Sequence, residues 1–240
     1  MKIKKIGIII LELIFLILLI FSIYNIVIWI KDNKENAEVL DDISKSIKIN
    51  KKKNEYEVNF GELKSQNPDT VAWIKVNGTN IEYPVVKATN NEFYLNHNFE
   101  GKYNVGGWVF ADYKNKFDGT DRNIVIYGHN MRNGSMFGTL KNTLKQNWQS
   151  EESNFLITFI TEDEISTYKV FSTYKVENEE YYITTNFSGA TDYMQFLSTI
   201  KQRSNKYYNE TLNEQDQILT LSSCDNNNKY RIVLHAKKIK

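Results

Sequence analysis

The sequence predicts a mainly β fold, a barrel or a sandwich, for the larger part of the chain. Short apolar or alternating runs rich in Val, Ile, Tyr and Phe recur along it, separated by turn residues. Two of these runs flank Asn77-Gly78, a strong hairpin signal. Many short strands at such intervals are typical of barrels and sandwiches. The N-terminal thirty residues lack this pattern and predict a separate helix.

That N-terminal segment, residues 1–30, predicts an uncleaved transmembrane signal anchor. Between Gly7 and Ile30, Glu12 is the only charged residue, and about 20 apolar residues suffice to span a bilayer. The run is too long for a cleaved signal and lacks a small-residue cleavage site. A buried core helix is the alternative. Three lysines precede the run (Lys2, Lys4 and Lys5) and indicate a cytoplasmic N-terminus with residues 31–240 outside the cell.

Residues 31–59 are predicted to form a helical stalk or linker. Apolar residues recur there at spacings of three and four, from Ala37 to Ile47, and predict a helix to about residue 53. A short helix is expected at 60–64. The extracellular domain is expected over residues 60–240.

Eight strands and one longer helix are predicted within that domain. The helix covers Tyr193 to Ile200, with Ser188 or Thr191 as a possible N-cap. A helical turn is expected from Phe137. The predicted strands are 71–76, 81–86, 107–111, 123–127, 155–160, 167–171, 217–223 and 230–236.

Composition excludes several classes of function. The net charge is +1, from 30 basic and 29 acidic residues, which argues against a nucleic-acid partner because no basic stripe or excess is present. Cys224 is the single cysteine, which excludes a disulfide framework and argues against a Cys-rich metal site. An unpaired cysteine outside the cell suggests an intermolecular bridge or a reactive thiol. The alternative is a small buried apolar residue.

The neighbours of Cys224 follow from strand geometry. Cys224 ends one predicted strand and Arg231 begins the next. If these strands pair as a hairpin, both residues lie at the same end of the sheet. His235 then lies about 13 Å farther along the second strand. It is therefore the poorer partner for the thiol and is interpreted as a structural residue.

His129 is the better candidate among the three histidines. It follows the predicted strand 123–127 and Gly128, at a strand end that opens into a loop, where catalytic side chains are commonly displayed. His97 is expected to be a surface-loop residue.

A cysteine, a histidine and an arginine together suit acyl transfer. A thiolate is the nucleophile, and a histidine protonates the leaving amine. A guanidinium stabilises an oxyanion or holds substrate carbonyls. The alternative for Arg231 is an ordinary charge on a strand surface.

Three motifs, in this order, resemble those of the sortases, the membrane-anchored cysteine transpeptidases of Gram-positive bacteria. They are Tyr127-Gly128-His129-Asn130-Met131, Thr220-Leu221-Ser222-Ser223-Cys224, which is similar to TLxTC, and Arg231. The resemblance covers about residues 60–240 and is most like class B. It implies an eight-stranded β-barrel with N-terminal helices, matching 31–65, and a helix inserted between the sixth and seventh strands, matching 191–203.

The resemblance also implies a reaction. Cys224 attacks the carbonyl of a threonine in a C-terminal sorting signal and forms a thioacyl enzyme. His129 protonates the departing amine, and Arg231 supports the oxyanion or the peptide. An amine of a peptidoglycan cross-bridge then releases the product at the outer face of the cytoplasmic membrane. This chemistry needs no metal or organic cofactor.

Substrate-side residues are implied in the same way. The stretch 91–96 is similar to a class B segment that contacts the sorting peptide, which implicates Asn91 and Leu95. Tyr182, Ile183 and Ser222 are further candidates. Two departures concern Ser223, which stands where the motif has a second threonine, and the short Asn-rich loop after Cys224.

Two alternative functions remain open from sequence. One is a cysteine peptidase that hydrolyses the sorting signal with the same three residues. The other is a non-catalytic anchored β-barrel binding module in which Cys224 is buried and inert.

Overall fold

A computed structural model describes residues 2–50, 55–224 and 229–240, with side chains for 5–46, 56–223 and 229–240. The α-helices are α1 (Lys2–Ser44), α2 (Phe60–Gln66), α3 (Gln146–Gln149) and α4 (Ala190–Gln202). Short 3-10 helices lie at Phe93–Leu95, Leu140–Leu144, Glu152–Phe155 and Tyr181–Ile183. The strands are β1 (Ile47–Asn50), β2 (Glu55–Val58), β3 (Thr70–Val76), β4 (Glu82–Val86), β5 (Phe110–Ala111), β6 (Asn123–Gly128), β7 (Leu156–Ile160), β8 (Ile165–Glu177), β9 (Ile218–Cys224) and β10 (Tyr230–Lys238).

Strands β3 to β10 close into a barrel in the order β10-β8-β7-β3-β4-β5-β6-β9. Most neighbours are antiparallel, but β4 pairs with β5 and β6 pairs with β9 in parallel. Helix α4 lies between the sixth and seventh barrel strands in chain order. The predicted eight-stranded barrel with an inserted helix is therefore confirmed.

Two apolar clusters stabilise the barrel. The main core is buried among alternate strand residues such as Ile126, Leu221 and Leu234. A second cluster packs α4 against the other face of β8, β9 and β10, and includes Leu197 and Val233. Strand β10 is thus covered on both faces, which explains its continuous apolar run Ile232-Val233-Leu234.

Helix α1 begins with the apolar segment predicted to be an anchor. In the part of the chain that the structure describes, it is the one helix long and apolar enough to cross a membrane. It ends at Ser44, earlier than the predicted residue 53, and Ile47 lies in β1, which pairs antiparallel with β2. The run Ile47-Lys48-Ile49 alternates in polarity, and its two isoleucines are β-branched, which favours a strand over another helical turn. Residues 51–54 lie outside the described residues.

The last turns of α1 dock on the domain. The Asp32 carboxylate accepts a hydrogen bond from the Val105 amide at 2.9 Å. The Asn36 amide donates to Asn104 Oδ1 at 3.0 Å and to the Gly107 carbonyl at 3.3 Å. Asp32 and Asn36 are buried. This part of α1 is therefore a packed element of the domain.

Three elements differ in extent from the sequence prediction. Strand β5 has two residues, and β8 continues to Glu177, beyond the predicted residue 171. Helix α4 has Gly189 as its N-cap, without a side-chain cap bond, so neither Ser188 nor Thr191 caps it. Ser188 instead donates its amide and hydroxyl to the Asp192 carboxylate.

We predict that Asn36→Ala lowers the free energy of unfolding by about 1–2 kcal/mol, because it removes buried donors that hold α1 on the domain. Urea denaturation of the chain in detergent micelles, followed by tryptophan fluorescence, measures the change. Lys34→Ala is the matched control, since that side chain is 77% exposed on the same helix. Equal denaturation midpoints for the two variants would contradict docking through Asn36.

Candidate active site

The pairing of β9 with its two neighbours assembles the site. In the parallel β6–β9 pair, Gly128 lies opposite Ser223, and His129 follows Gly128 directly. In the antiparallel β9–β10 pair, Cys224 lies opposite Arg231. Because adjacent strands are about 4.8 Å apart, the backbone of positions 129, 224 and 231 lies within about 10 Å. The predicted hairpin neighbourhood of Cys224 and Arg231 is confirmed at the level of strand register.

A cavity of about 240 Å³ opens at this end of the barrel. His129 and Arg231 border it, while the side chain of Cys224 lies outside the described residues. Every substrate-side residue predicted from the sequence also lines it: Asn91, Leu95, Tyr182, Ile183 and Ser222. Tyr127 and Gly128 of the His129 motif also line it, and residues that the sequence analysis did not single out complete the lining: Phe110, Asn178, Glu179 and Glu180.

Gly128 lets the end of β6 approach the loop that follows it. A Cβ at this position would lie 2.7 Å from the Phe137 ring, closer than packed carbon atoms tolerate. The next residue, His129, is half-buried, and its backbone carbonyl accepts hydrogen bonds from the amides of Met131 and Phe137. The tight loop therefore fixes the backbone of His129 beside β9.

The His129 ring is oriented by a backbone carbonyl. Its Nε2 lies 2.7 Å from the Leu95 carbonyl oxygen. Because a carbonyl oxygen only accepts, Nε2 carries a proton in this contact. The same residue, Leu95, exposes 40% of its surface at the rim of the cavity. Leu95 thus has both a backbone contact to the histidine and a side chain available for a ligand.

Asn91 is held by a buried carboxylate that the sequence analysis missed. Asp112 Oδ2 accepts from Asn91 Nδ2 at 2.9 Å and from the Tyr127 hydroxyl at 2.7 Å. Burial, followed by the charge of Asp112, raises the pKa of Tyr127 well above its ordinary value, so the hydroxyl stays protonated. Asp112 follows the predicted strand 107–111 immediately, and this strand-end position was an available signal.

The opposite wall follows the end of β8. Tyr182 and Ile183 belong to the 3-10 helix Tyr181–Ile183, and the Tyr182 hydroxyl lies 3.0 Å from Ser222 Oγ. Glu179 forms an ion pair with Arg203, the C-cap residue that follows α4. Residues 178–180 were missed because β8 was predicted to end at 171, although the alternating pattern of the strand continues beyond it.

The three histidines occupy different environments. His97 stacks on Phe93 with ring centroids 4.1 Å apart and does not line the cavity. His235 is fully buried, and burial, assisted by Arg203, lowers its pKa to about 3. It is therefore neutral at physiological pH. Among the described residues, no group of three or more His, Cys, Asp and Glu is arranged to hold a metal ion.

A family model for the sortase domain matches residues 74–239. The chain belongs to the sortase family. Sortase B of Listeria monocytogenes is 33% identical over 241 residues, which cover 95% of each chain. The crystal structure of Clostridium perfringens sortase B is 39% identical with a TM-score of 0.72, covering 76% of this chain and all of that one. A Staphylococcus aureus sortase B–substrate complex is 35% identical with a TM-score of 0.71, covering 75% of this chain and 84% of that one.

These similarities identify a class B sortase, a cysteine transpeptidase. They favour the enzyme over the non-catalytic binding module that the sequence had left open. The cavity at the end of β6, β9 and β10 is the candidate active site of this sortase, because it adjoins all three motifs that carried the sequence resemblance.

We predict that Gly128→Ala lowers kcat/KM by about 100-fold. The added methyl group collides with the Phe137 ring and shifts the His129 ring away from the Leu95 carbonyl. Cleavage of a fluorogenic sorting peptide measures the rate. Gly189→Ala is the matched control, since a Cβ there meets no atom within 4 Å. A Gly128→Ala enzyme with the activity of this control would show that the tight turn does not position the histidine.

Proposed function

We propose that this class B sortase cleaves a C-terminal sorting signal after threonine and joins the released protein to a peptidoglycan amine. The observation that carries the proposal is the strand register, in which Cys224 lies opposite Arg231 while His129 follows the residue paired with Ser223. This register supports the proposed roles of Cys224 as nucleophile, His129 as acid–base group and Arg231 as cation, since His129 and Arg231 line one cavity at this end of the barrel.

In the first half of the reaction, the Cys224 thiolate sulfur bonds to the threonine carbonyl carbon and the peptide C–N bond breaks. His129 donates a proton to the departing nitrogen. Arg231 lines the cavity, and its guanidinium offers planar donors to the oxyanion or to peptide carbonyls. The products of this half are a thioacyl enzyme and the amine of the removed tail.

In the second half, an amine nitrogen attacks the thioacyl carbon and the thiolate leaves. His129 accepts the proton that the nitrogen loses. The product is a new amide, and the enzyme returns to its starting state. Water in place of the amine gives hydrolysis with the same residues, which is the peptidase alternative.

The cavity walls support an extended peptide as substrate. Leu95 and Ile183 offer apolar contacts, while Asn91 and Ser222 offer polar ones. Asn91 is itself fixed by Asp112, so less side-chain entropy is lost when it binds a peptide. The similarity to the Staphylococcus aureus sortase B–substrate complex supports the same use of this cavity.

The anchor supports a location at the outer face of the cytoplasmic membrane, with the N-terminus inside. The large apolar side chains from Ile6 to Ile30 are exposed, and Asp32 is already docked on the domain. Because Ile30 and Asp32 are separated by one residue, only a short segment lies between the bilayer and the domain. On this proposal residues 1–30 are the anchor, and the extracellular catalytic domain of residues 60–240 also carries the docked end of α1.

We predict that Cys224 forms a thioacyl adduct with one member of a panel of threonine-containing sorting peptides. Mass spectrometry of the full chain in detergent micelles detects the adduct, and triglycine is the added amine. The amide product is expected only with triglycine, because the thioacyl carbon needs a nitrogen nucleophile to form it.

The control is Cys224→Ala, which is expected to abolish cleavage while the circular dichroism spectrum stays unchanged. Cleavage by that variant would overturn the proposed mechanism. Adduct formation followed only by hydrolysis, with or without triglycine, would identify a cysteine peptidase.

A further inference from the structure

A chain of buried hydrogen bonds runs beneath the cavity, outside the residues assigned to the reaction. The Tyr174 hydroxyl lies 2.8 Å from His235 Nε2, and His235 Nδ1 lies 2.8 Å from Thr220 Oγ1. Thr220 Oγ1 donates to Asn123 Oδ1 at 2.6 Å. All four side chains are buried. Such a network in a low-dielectric interior holds its members in one arrangement.

This series of hydrogen bonds ends at backbone carbonyls of the cavity wall. Asn123 Nδ2 lies 2.9 Å from the Thr184 carbonyl oxygen and 3.4 Å from that of Tyr182. These carbonyls flank Ile183, and both Tyr182 and Ile183 line the cavity. The buried amide of β6 therefore holds the segment that presents these two side chains.

The backbone carbonyls at the end of this hydrogen-bond series determine which atom carries each proton. Carbonyl oxygens only accept, so Asn123 turns its NH2 group towards them and accepts from Thr220 with Oδ1. The single Thr220 proton is thereby used, and Thr220 accepts from His235 Nδ1–H. The neutral ring then has its lone pair on Nε2, which accepts from the Tyr174 hydroxyl.

The neutral state of His235 is required for this order of bonds. A doubly protonated ring would present a second N–H to Tyr174. Burial, assisted by the charge of Arg203, lowers the pKa of His235 to about 3. The arrangement is thus maintained at physiological pH.

The outward face of β9 also holds the wall through a side chain. Thr220 and Ser222 alternate onto one face of the strand, and Ser222 Oγ lies 3.0 Å from the Tyr182 hydroxyl. The strand that carries the nucleophile therefore contacts the wall at two of its residues, directly through Ser222 and through Asn123 for Thr220.

We propose that Thr220 is a positioning residue that, through Asn123, fixes residues 182–184 for peptide binding. The role in peptide binding rests on the proposed function, whereas the fixing of the segment does not. Thr220→Val keeps the shape of the side chain but leaves Asn123 Oδ1 and His235 Nδ1–H without their partner. Thr220→Ser retains the hydroxyl.

Hydrogen exchange of the full chain in detergent micelles, followed by mass spectrometry with millisecond labelling, tests the fixing of the segment. Exchange over residues 180–187 is expected to rise about tenfold in Thr220→Val, as for the loss of one buried hydrogen bond, and to stay near the original rate in Thr220→Ser. Thr173→Val is the matched control, because it removes a buried hydroxyl bonded to Asn205 and Tyr208 instead. Unchanged exchange in Thr220→Val, or an equal rise throughout the domain, would overturn the proposal.

Two further measurements test the proposal if Thr220→Val does not fold or if no substrate peptide is found. Nitrogen-15 NMR of the unaltered chain is expected to show His235 protonated at Nδ1 and not at Nε2; the opposite tautomer would overturn the proposal. With the peptide that gives the most adduct, Thr220→Val is expected to raise KM about tenfold, with an unchanged rate of Cys224 alkylation by N-ethylmaleimide. If no peptide reacts, the proposed function fails and the exchange and NMR results still decide the role of Thr220.

Discussion

The pairing of β9 with β6 on one side and β10 on the other is the constraint on which the site depends. The parallel register sets the end of β6 beside the end of β9, and the antiparallel register sets Arg231 opposite Cys224. Because backbone hydrogen bonds fix both registers, residues distant in sequence meet without any flexible loop having to find its position. Loops then need only orient rings and peptides, as the Leu95 carbonyl does for His129.

The two faces of β9 have separate tasks. Leu219 and Leu221 pack into the main core and keep the strand in register. On the other face, Thr220 and Ser222 contact the elements that build the cavity wall. Cys224 is the last residue of the strand. The alternation of a strand thus divides one short motif into residues that stabilise the barrel and residues that shape the site.

Sequence reasoning located Cys224, Arg231 and His129 because each of them stands at the end of a locally recognisable strand. The series of buried hydrogen bonds through Asn123 was not predictable in this way. It needs the parallel pairing of β6 with β9, and periodicity reveals a strand but not its non-consecutive neighbour. The misassigned stretch near Ile47 has a related cause, since a few β-branched residues fit a helical stripe and a strand equally well.

The register of Cys224 against Arg231 is tested most directly by a disulfide. Cys224 is the single cysteine of the chain, so Arg231→Cys adds one defined partner. Directly opposed residues on neighbouring strands lie within disulfide range, whereas Val233, which pairs with Ser222, is offset from Cys224 by about 7 Å. Under mild oxidation, Arg231→Cys is expected to form an intrachain disulfide that blocks alkylation of both thiols until it is reduced, and Val233→Cys is expected to leave both thiols reactive. Cross-linking in Val233→Cys but not in Arg231→Cys would contradict the assembly of the site by this strand pairing.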